Sequence, residues 1–409
     1  MDRGHREAGM IFGLGEADKD PVIGVDIGSS VTYLGGLEPD NSGMITITGS
    51  DGKLLVPTEG AILGEEIAAG TQAGELLDRG ADVVDILTPF MISKETRDGK
   101  LPPLDHGQPG AVRREFFEHL YTRIETDVDG WEGRIAIPFR PWIDETNRDL
   151  LEEFLRDAGF DVVCRLSSPV ATAIGYWEHH RIKDPHYSQN PREGAVLLTV
   201  DMGATFIDAA VISVDHSQYR QLSLEASAFK QTWERGFVSQ LLKTKDFDVP
   251  SHELQALEVV LERELSKSIE QLLTKGDETV QIRIPEVFTG AGGEVLTISS
   301  STFQRYASLR MEGYNDRIQE ALSSAGLDSL EDIDIVITGG FPARTVPVLH
   351  WWSTQGADWG TMSNPNETVD SNAKVRITGG FGGKTLPSHG ASALANSEVG
   401  HTKSNIKIQ

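Results

Sequence analysis

The sequence contains two similar stretches, GVDIGSSVTYLGGL at residues 24–37 and TVDMGATFIDAAVI at residues 199–212. Each copy has an apolar run typical of a buried strand, then Val-Asp-X-Gly and one or two small polar residues, then a second apolar run. The two aspartates, Asp26 and Asp201, lie 175 positions apart, and helical patterns follow each copy. The repeat therefore predicts two α/β units that face each other, with each Asp-X-Gly turn projecting into the cleft between them.

The composition narrows the class of protein. The chain has 409 residues, a net charge of −25 and one cysteine, which argues against a disulfide framework and against cysteine-rich metal sites. So negative a charge disfavours binding to nucleic acid and to anionic membranes. No apolar run approaches the ~20 residues that a membrane span needs, and the N-terminal residues lack the pattern of a secretory signal. We therefore expect a cytoplasmic protein that binds neither nucleic acid nor membrane.

The repeated turn suits a phosphate-bearing ligand. A glycine turn lets backbone N–H groups approach phosphate oxygens, because no Cβ stands in the way. A carboxylate at the end of a strand suits a hydrated Mg²⁺, and a second carboxylate can orient a water molecule. A single Asp-X-Gly is also a common hairpin turn. Its occurrence at matching places in two units favours the ligand site.

Five segments in order carry a family resemblance. GVDIGSSV and VDMGATFID are similar to two phosphate loops, and the stretch from RIAIPFRPW to ATAIGYW (134–177) is similar to a long connecting segment. DIVITGGFPARTVP (334–347) is similar to an adenosine loop, and NPNE and HGASALA are similar to a closing segment. Over residues 21–396 the chain resembles the actin-like ATPase superfamily, most closely the nucleotide-binding domain of DnaK-type 70-kDa heat-shock chaperones. The resemblance implies a two-lobed α/β fold of duplicated ribonuclease-H-like units around a nucleotide cleft.

The resemblance also implies roles for individual residues, with ATP or ADP and Mg²⁺ as cofactors. Asp26 and Asp201 would hold Mg²⁺ through water, and together with Asp208 they form the expected catalytic set. The expected nucleotide-contacting residues are the phosphate loops and the adenosine loop: Gly28, Ser29, Ser30, Gly203, Ala204, Thr205, Gly339, Gly340 and Phe341.

A helical stretch, ERELSKSIEQ, resembles the helix with which these chaperones clamp adenine. Glu264, Lys267 and Ser268 share one face of this helix, and the resemblance assigns them contacts with the base. The alternative is that this face is the solvated side of an amphipathic helix.

The connecting segment is predicted to contain two helix starts. Asp144 is a good N-cap for a helix with Leu151 and Phe154 on its apolar face. Ser168 precedes Pro169, which favours a second start with Ser168 as the cap. The family has Glu-Pro at Ser168-Pro169, so a carboxylate expected near the γ-phosphate is missing here.

Other departures concern basic residues. Lys94 is the best candidate for the catalytic lysine of the first lobe, and Arg344 lies one residue later than the arginine expected to stack on adenine. GGFGGKT (379–385) resembles a P-loop but is one residue short, and it is interpreted as a flexible insertion. We therefore expect a Mg²⁺-dependent ATP-binding protein that is an ATPase, although these departures argue against fast hydrolysis.

The predicted organisation is a flexible arm at 1–20, lobe I at 21–193 with an inserted subdomain at about 60–130, lobe II at 194–396 with one at about 246–309, and a polar tail at 397–409. Lobe closure on nucleotide would signal to an unknown protein partner. Since only about 14 residues follow HGASALA, we do not expect the chaperones' peptide-binding domain. Three alternatives remain open at this point: an actin-like protein that forms nucleotide-dependent cytoskeletal filaments, a hydrolysis-poor nucleotide-binding regulatory subunit, and a small-molecule kinase of the same superfamily.

Overall fold

A computed structural model describes most of the chain. The described residues are 20–39, 43–87, 90, 107–183, 195–203, 206–215, 218–228, 233–245, 247–274, 279–340, 352, 359–362, 375–378, 381–399 and 407–408. The predicted arm at 1–20 lies outside them except for Asp20. No helix in these ranges combines the length and the apolar character that a membrane crossing requires.

Two large sheets organise the fold. The strands of the first sheet are β1 (Ile23–Ile27), β2 (Val31–Leu37), β3 (Met44–Thr46), β4 (Leu55–Pro57), β8 (Arg134–Phe139) and β9 (Asp161–Ser167). The strands of the second sheet are β10 (Ala195–Met202), β11 (Phe206–Asp215), β12 (Gln218–Ala228), β15 (Ile335–Gly339), β16 (Trp359–Met362), β17 (Val375–Thr378) and β18 (Lys407–Ile408). The orders are β3-β2-β1-β8-β9, with β4 also on β2, and β16-β17-β15-β10-β11-β12-β18.

Two small sheets lie in the regions predicted as insertions. Their strands are β5 (Glu59–Leu63), β6 (Glu66–Ala69) and β7 (Asp82–Asp85) in one sheet, and β13 (Thr279–Arg283) and β14 (Val295–Ser299) in the other. The boundaries of the lobes and insertions stay predictions.

The helices cover the faces of these sheets. They are α1 (Ala73–Asp78), α2 (Gly107–Asp127), α3 (Glu145–Asp157), α4 (Ser168–Lys183), α5 (Trp233–Lys245), α6 (Ser251–Thr274), α7 (Ser300–Ser324) and α8 (Phe381–Val399). Helix α3 begins as predicted, since the Asp144 carboxylate accepts a hydrogen bond from the backbone N–H of Asn147 at 2.9 Å. The interpretation of GGFGGKT as a flexible insertion is wrong from Phe381 onward, because α8 already begins there.

The two large sheets repeat one topology. In each, the first strand pairs antiparallel with the second and parallel with a later strand: β1 with β2 and β8, and β10 with β11 and β15. Both hairpins close with the same backbone bond, from Gly28 N to Val31 O at 3.1 Å and from Gly203 N to Phe206 O at 3.0 Å. The α/β fold with duplicated units is therefore confirmed.

Helices α4 and α8 lie between the sheets and share one hydrophobic cluster with both of them. The cluster includes Leu37 and Ala136 from the first sheet and Leu197 and Ile337 from the second. Separate clusters fill the outer faces, with α2 and α3 on the first sheet and α7 on the second. This layering places the turns after β1 and β10 at corresponding ends of two facing units.

Helix α8 lies within the range predicted as lobe II but is bound to the first sheet. The Ser392 hydroxyl donates to the Val22 carbonyl at 2.6 Å and accepts from the Leu37 N–H at 3.0 Å. The Asn396 amide bridges the same two residues, since it accepts from Val22 N–H and donates to Leu37 O. The final helix therefore connects the two halves of the molecule.

Candidate functional site

The two Asp-X-Gly hairpins bring three carboxylates together. Asp26 lies near the end of β1 and Asp201 near the end of β10, and their side chains are almost fully buried, as is that of Asp208. Asp208 stands directly opposite Asp201 in the β10–β11 register, just as Tyr33 stands opposite Asp26 in the β1–β2 register. The second unit therefore contributes two carboxylates to the site and the first unit contributes one.

A buried arginine lies between these carboxylates. Arg140 Nη2 donates to Asp26 Oδ1 at 3.4 Å, and Nη1 donates to Asp201 Oδ2. Nη1 also lies 3.7 Å from Asp208 Oδ2 and donates to the Ser168 hydroxyl at 3.0 Å. One guanidinium thus joins side chains from both sheets.

The position of Arg140 follows from strand pairing. Arg140 comes directly after β8, and β8 runs parallel to β1, so the residue that follows β8 emerges at the same sheet edge as the Asp26 turn. On its other side the guanidinium faces the Phe206 ring, with its carbon 4.1 Å from the ring centroid, an arrangement typical of a cation–π contact. The indole of Trp142 lies against the same ring at a centroid distance of 6.3 Å.

The electrostatics of the cluster are those of one cation shared by three acids. Burial alone lowers the pKa of the Arg140 guanidinium, but Asp201, Asp26 and Asp208 outweigh it, so the pKa lies above its usual value. Burial raises the pKa of Asp208 well above its usual value, against the opposing effect of Arg140. Both carboxylate oxygens of Asp208 are buried and accept no hydrogen bond from the described residues. The cluster therefore carries more negative than positive charge when all of its groups are ionised.

The expected Mg²⁺ site does not fit this arrangement. Carboxylates are the kind of ligand that Mg²⁺ takes, usually with several waters retained. Here, however, the Arg140 guanidinium occupies the space between Asp26, Asp201 and Asp208, and the Phe206 ring covers its face. Within the described ranges, no group of three or more His, Cys, Asp or Glu side chains is arranged to hold a metal ion.

The segment predicted as the adenosine loop lies beside the second aspartate. Gly339 pairs with Asp201 in the parallel β10–β15 register, and Gly340 follows with φ of +85°. A Cβ on Gly340 would lie 1.9 Å from the Met202 carbonyl oxygen, so only glycine fits this position. The structure therefore brings Gly339 and Gly340 next to the acidic cluster, while Phe341 and Arg344 lie outside the described residues.

The residues predicted to form the phosphate loops differ in their accessibility. Gly28 is buried, Ser29 is half-buried and Ser30 is exposed at the apex of the first hairpin. Gly203 is buried at the second hairpin, where a Cβ would lie 2.1 Å from the Phe206 ring. Ala204, Thr205 and the lysine candidate Lys94 lie outside the described residues.

The residues assigned to the adenine clamp lie on α6. Glu264 and Ser268 are half-buried, and the side chain of Lys267 lies outside the described set. Helix α6 packs against α5, α7 and β13. The contact of this face with adenine stays a prediction.

Arg140 is not among the site residues predicted from the sequence, and Ser168 is predicted there only as a helix cap. In the sequence Arg140 is only one residue of the connecting segment, although a charged residue directly after a strand of a central sheet is a signal for the functional edge. Helix α4 begins at Ser168 itself, one residue earlier than the predicted start at Pro169, and the fully buried Ser168 hydroxyl accepts a hydrogen bond from Arg140. Ser168 is therefore a member of the buried polar cluster.

Comparisons with known proteins give consistent relatives at low identity. The chain is 22% identical over 381 residues to Chaperone protein DnaK of Thermosipho melanesiensis, a match that covers 88% of this chain and 59% of the relative. It is 19% identical over 390 residues to Mitochondrial-type heat shock protein 70 of Encephalitozoon cuniculi, covering 87% of this chain and 62% of that protein. A Chaperone protein HscA homolog of Acinetobacter baumannii is 22% identical over 251 residues, or 60% of this chain and 36% of the relative.

The chain spans about three fifths of the length of the first two relatives. No protein-family model matches it. The relationship to DnaK- and heat-shock-70-type chaperones over most of this chain is thereby confirmed, and with it the predicted fold class.

Proposed function

We propose that this relative of the DnaK-type chaperones binds ATP or ADP between its two Asp-X-Gly hairpins and hydrolyses ATP slowly or not at all. The observation that carries the proposal is the convergence of the two hairpins. They have the same closing bond and the same strand register, and they direct Asp26 and Asp201 at one shared guanidinium.

The hairpin apex and the adenosine loop supply the contacts for such a ligand. The Gly28 N–H is used within the turn, so the N–H groups available to a phosphate are those of Ser29 and Ser30 at the accessible apex. Gly339 pairs with Asp201, and the turn at Gly340 lies against the Met202 carbonyl, so we propose that the chain leaving β15 at this point lies beside the adenosine.

Slow hydrolysis follows from the state of the carboxylates. Asp26 and Asp201 are held by Arg140, and an acid held in an ion pair is a poor group for orienting or deprotonating water. Ser168 stands where the resemblance expects a glutamate, so the site lacks that carboxylate. Of the alternatives left open by the sequence, these observations favour the hydrolysis-poor nucleotide-binding subunit.

We propose that nucleotide binding changes how closely the two large sheets approach each other. Arg140 directly follows a strand of the first sheet and Asp201 lies on the second, so a nucleotide that alters this contact would alter how the halves close. We propose a protein partner in the cytoplasm as the receiver of this change. The relatives carry the names of chaperones, which favours this output over a filament.

A charge placed at the hairpin apex tests the proposal. Fluorescently labelled ADP is titrated with wild-type protein, with Ser30→Glu and with Ser301→Glu, a control at an exposed serine on α7. Repulsion from the phosphates is expected to weaken binding to Ser30→Glu by about tenfold or more, or ~1.4 kcal/mol, with no change in the control. Wild-type protein without affinity for ADP, or equal affinity in all three proteins, would contradict the proposal.

A further inference from the structure

We infer that Arg140 is the resident cation of the cleft and occupies the position that the resemblance assigns to Mg²⁺, so that Asp26, Asp201 and Asp208 hold no divalent metal. The consequence for nucleotide binding, that it is independent of magnesium, rests on the proposed function. The statement about the cation rests only on the described side chains.

The contacts of Arg140 use both ends of the guanidinium fork. Nη1 donates hydrogen bonds to Asp201 and Ser168 and lies near Asp208, whereas Nη2 donates to Asp26. A planar fork with several fixed donors is suited to join carboxylates that approach from different directions. Each of the three acids is therefore within reach of the same positive group.

Burial makes the Arg140 guanidinium difficult to displace from the three carboxylates. Arg140 is 2% exposed, and the three carboxylates are between 0% and 8% exposed. A cation leaving such a site would leave uncompensated charges in a low-dielectric environment. Mg²⁺, which gives up its water reluctantly, is a weak competitor for a dry position.

The neighbours of Arg140 fit a guanidinium better than a hydrated metal. The Phe206 ring offers an aromatic face to the cation at 4.1 Å and offers no oxygen. Ser168 contributes a neutral hydroxyl, so the cluster does not gain a fourth carboxylate at that place. The surroundings thus match one buried, delocalised positive charge.

The first measurement uses the wild-type protein. Mn²⁺ is titrated while its free fraction is followed by electron paramagnetic resonance, and ADP affinity is measured in excess magnesium and in excess EDTA. We expect no Mn²⁺ site tighter than the weak binding of an acidic surface, and ADP affinities that agree within about threefold. One tight Mn²⁺ site in wild-type protein, or a loss of ADP affinity of about tenfold or more in EDTA, would overturn the inference.

The second measurement exposes the carboxylates to metal. In Arg140→Gln the uncharged side chain leaves three buried acids without their cation, so we expect a new Mn²⁺ site and a melting temperature that rises with Mn²⁺ or Mg²⁺. The matched control is Arg123→Gln. Arg123 is equally buried, but it is paired with the single carboxylate Asp51 and with the carbonyls of Thr48 and Lys53.

The outcomes separate the two proposals. If Arg140→Gln does not fold, Arg140→Gln combined with Asp208→Asn removes one of the unpaired acids and repeats the metal titration. Metal binding gained by either Arg140 variant and not by the control supports the inference even if wild-type protein binds no ADP, in which case only the proposed function fails. Folded Arg140 variants that gain no metal site overturn the inference and leave the proposed function standing if ADP still binds.

Discussion

The guanidinium of Arg140, which follows a strand of the first sheet, is hydrogen-bonded to the carboxylate of Asp201 on the second sheet. The bond joins the end of β8 to the end of β10 and lies between the two copies of the repeated hairpin. The two Asp-X-Gly turns, which lie far apart in the sequence, therefore form one electrostatic unit. Changes to its members are therefore expected to affect folding, closure and ligand binding together.

Replacing Arg140 by alanine is expected to lower the free energy of unfolding by about 3–5 kcal/mol, because it leaves buried carboxylates without a counter-charge. Arg140→Lys retains the charge but not the fork, and it is expected to cost less. Chemical denaturation of the three proteins measures the difference. An Arg140→Ala protein as stable as wild type would contradict the assigned role.

The Arg140–Asp201 contact is also testable by a double-mutant cycle. The single variants Arg140→Ala and Asp201→Asn and the double variant are compared by denaturation, and we expect a coupling free energy of about 1–3 kcal/mol. The same cycle with the exposed pair Arg283 and Glu286 is the control, where a coupling of about 0–1 kcal/mol is expected. Equal coupling free energies in both pairs would show that the buried contact stabilises the fold no more than an exposed ion pair does.

Gly340 is expected to tolerate no side chain. Gly340→Ala adds a Cβ 1.9 Å from the Met202 carbonyl oxygen at a φ of +85°, so both the strain and the clash destabilise the folded chain. Gly326→Ala is the matched control, since Gly326 has φ of +75° with nothing within 4 Å of the added Cβ. We expect about 1 kcal/mol of destabilisation for the control and a clearly larger loss for Gly340→Ala. Thermal unfolding checks this, and equal losses would contradict it.

The carboxyl of Glu234, at the start of α5, is expected to make stability depend on pH. Burial, with help from the nearby Glu262, raises its pKa to about 7. A carboxyl that binds its proton more tightly in the folded state stabilises the fold at low pH. This contribution is lost as the pH rises from its ordinary value of 4.5 through the raised pKa.

Glu234→Gln should remove this loss. The difference in unfolding free energy between the variant and wild type is expected to grow in favour of the variant by about 2–3 kcal/mol between pH 5 and pH 8. Glu286→Gln, at an exposed carboxyl, serves as the control. A difference that does not change with pH would contradict the assignment.

Much of the architecture was predictable from the sequence because it depends on local patterns. The two hairpins show period-two apolar runs around Asp-X-Gly, so their repetition and the facing aspartates follow from residues close together in the chain. The start of α3 follows from Asp144 for the same reason.

The centre of the site was not predictable in the same way. Arg140 reaches Asp26 only because β8 pairs parallel with β1, and it reaches Asp201 only because a second sheet lies opposite. Both conditions depend on contacts between distant segments, and an arginine after a strand has many other uses. The prediction of a flexible insertion at GGFGGKT is wrong because packing between the sheets stabilises helix α8. Local helix propensity does not report such packing.

The most direct test of the cleft is a calorimetric titration of wild-type protein with ADP, carried out in excess magnesium and repeated in excess EDTA. Saturable binding with similar affinity in both solutions is the expected result, since in this proposal the hairpin amides would contact the phosphates and Arg140 is the cation between the carboxylates. Absence of ADP binding in both solutions would contradict the assignment of the cleft as a nucleotide site.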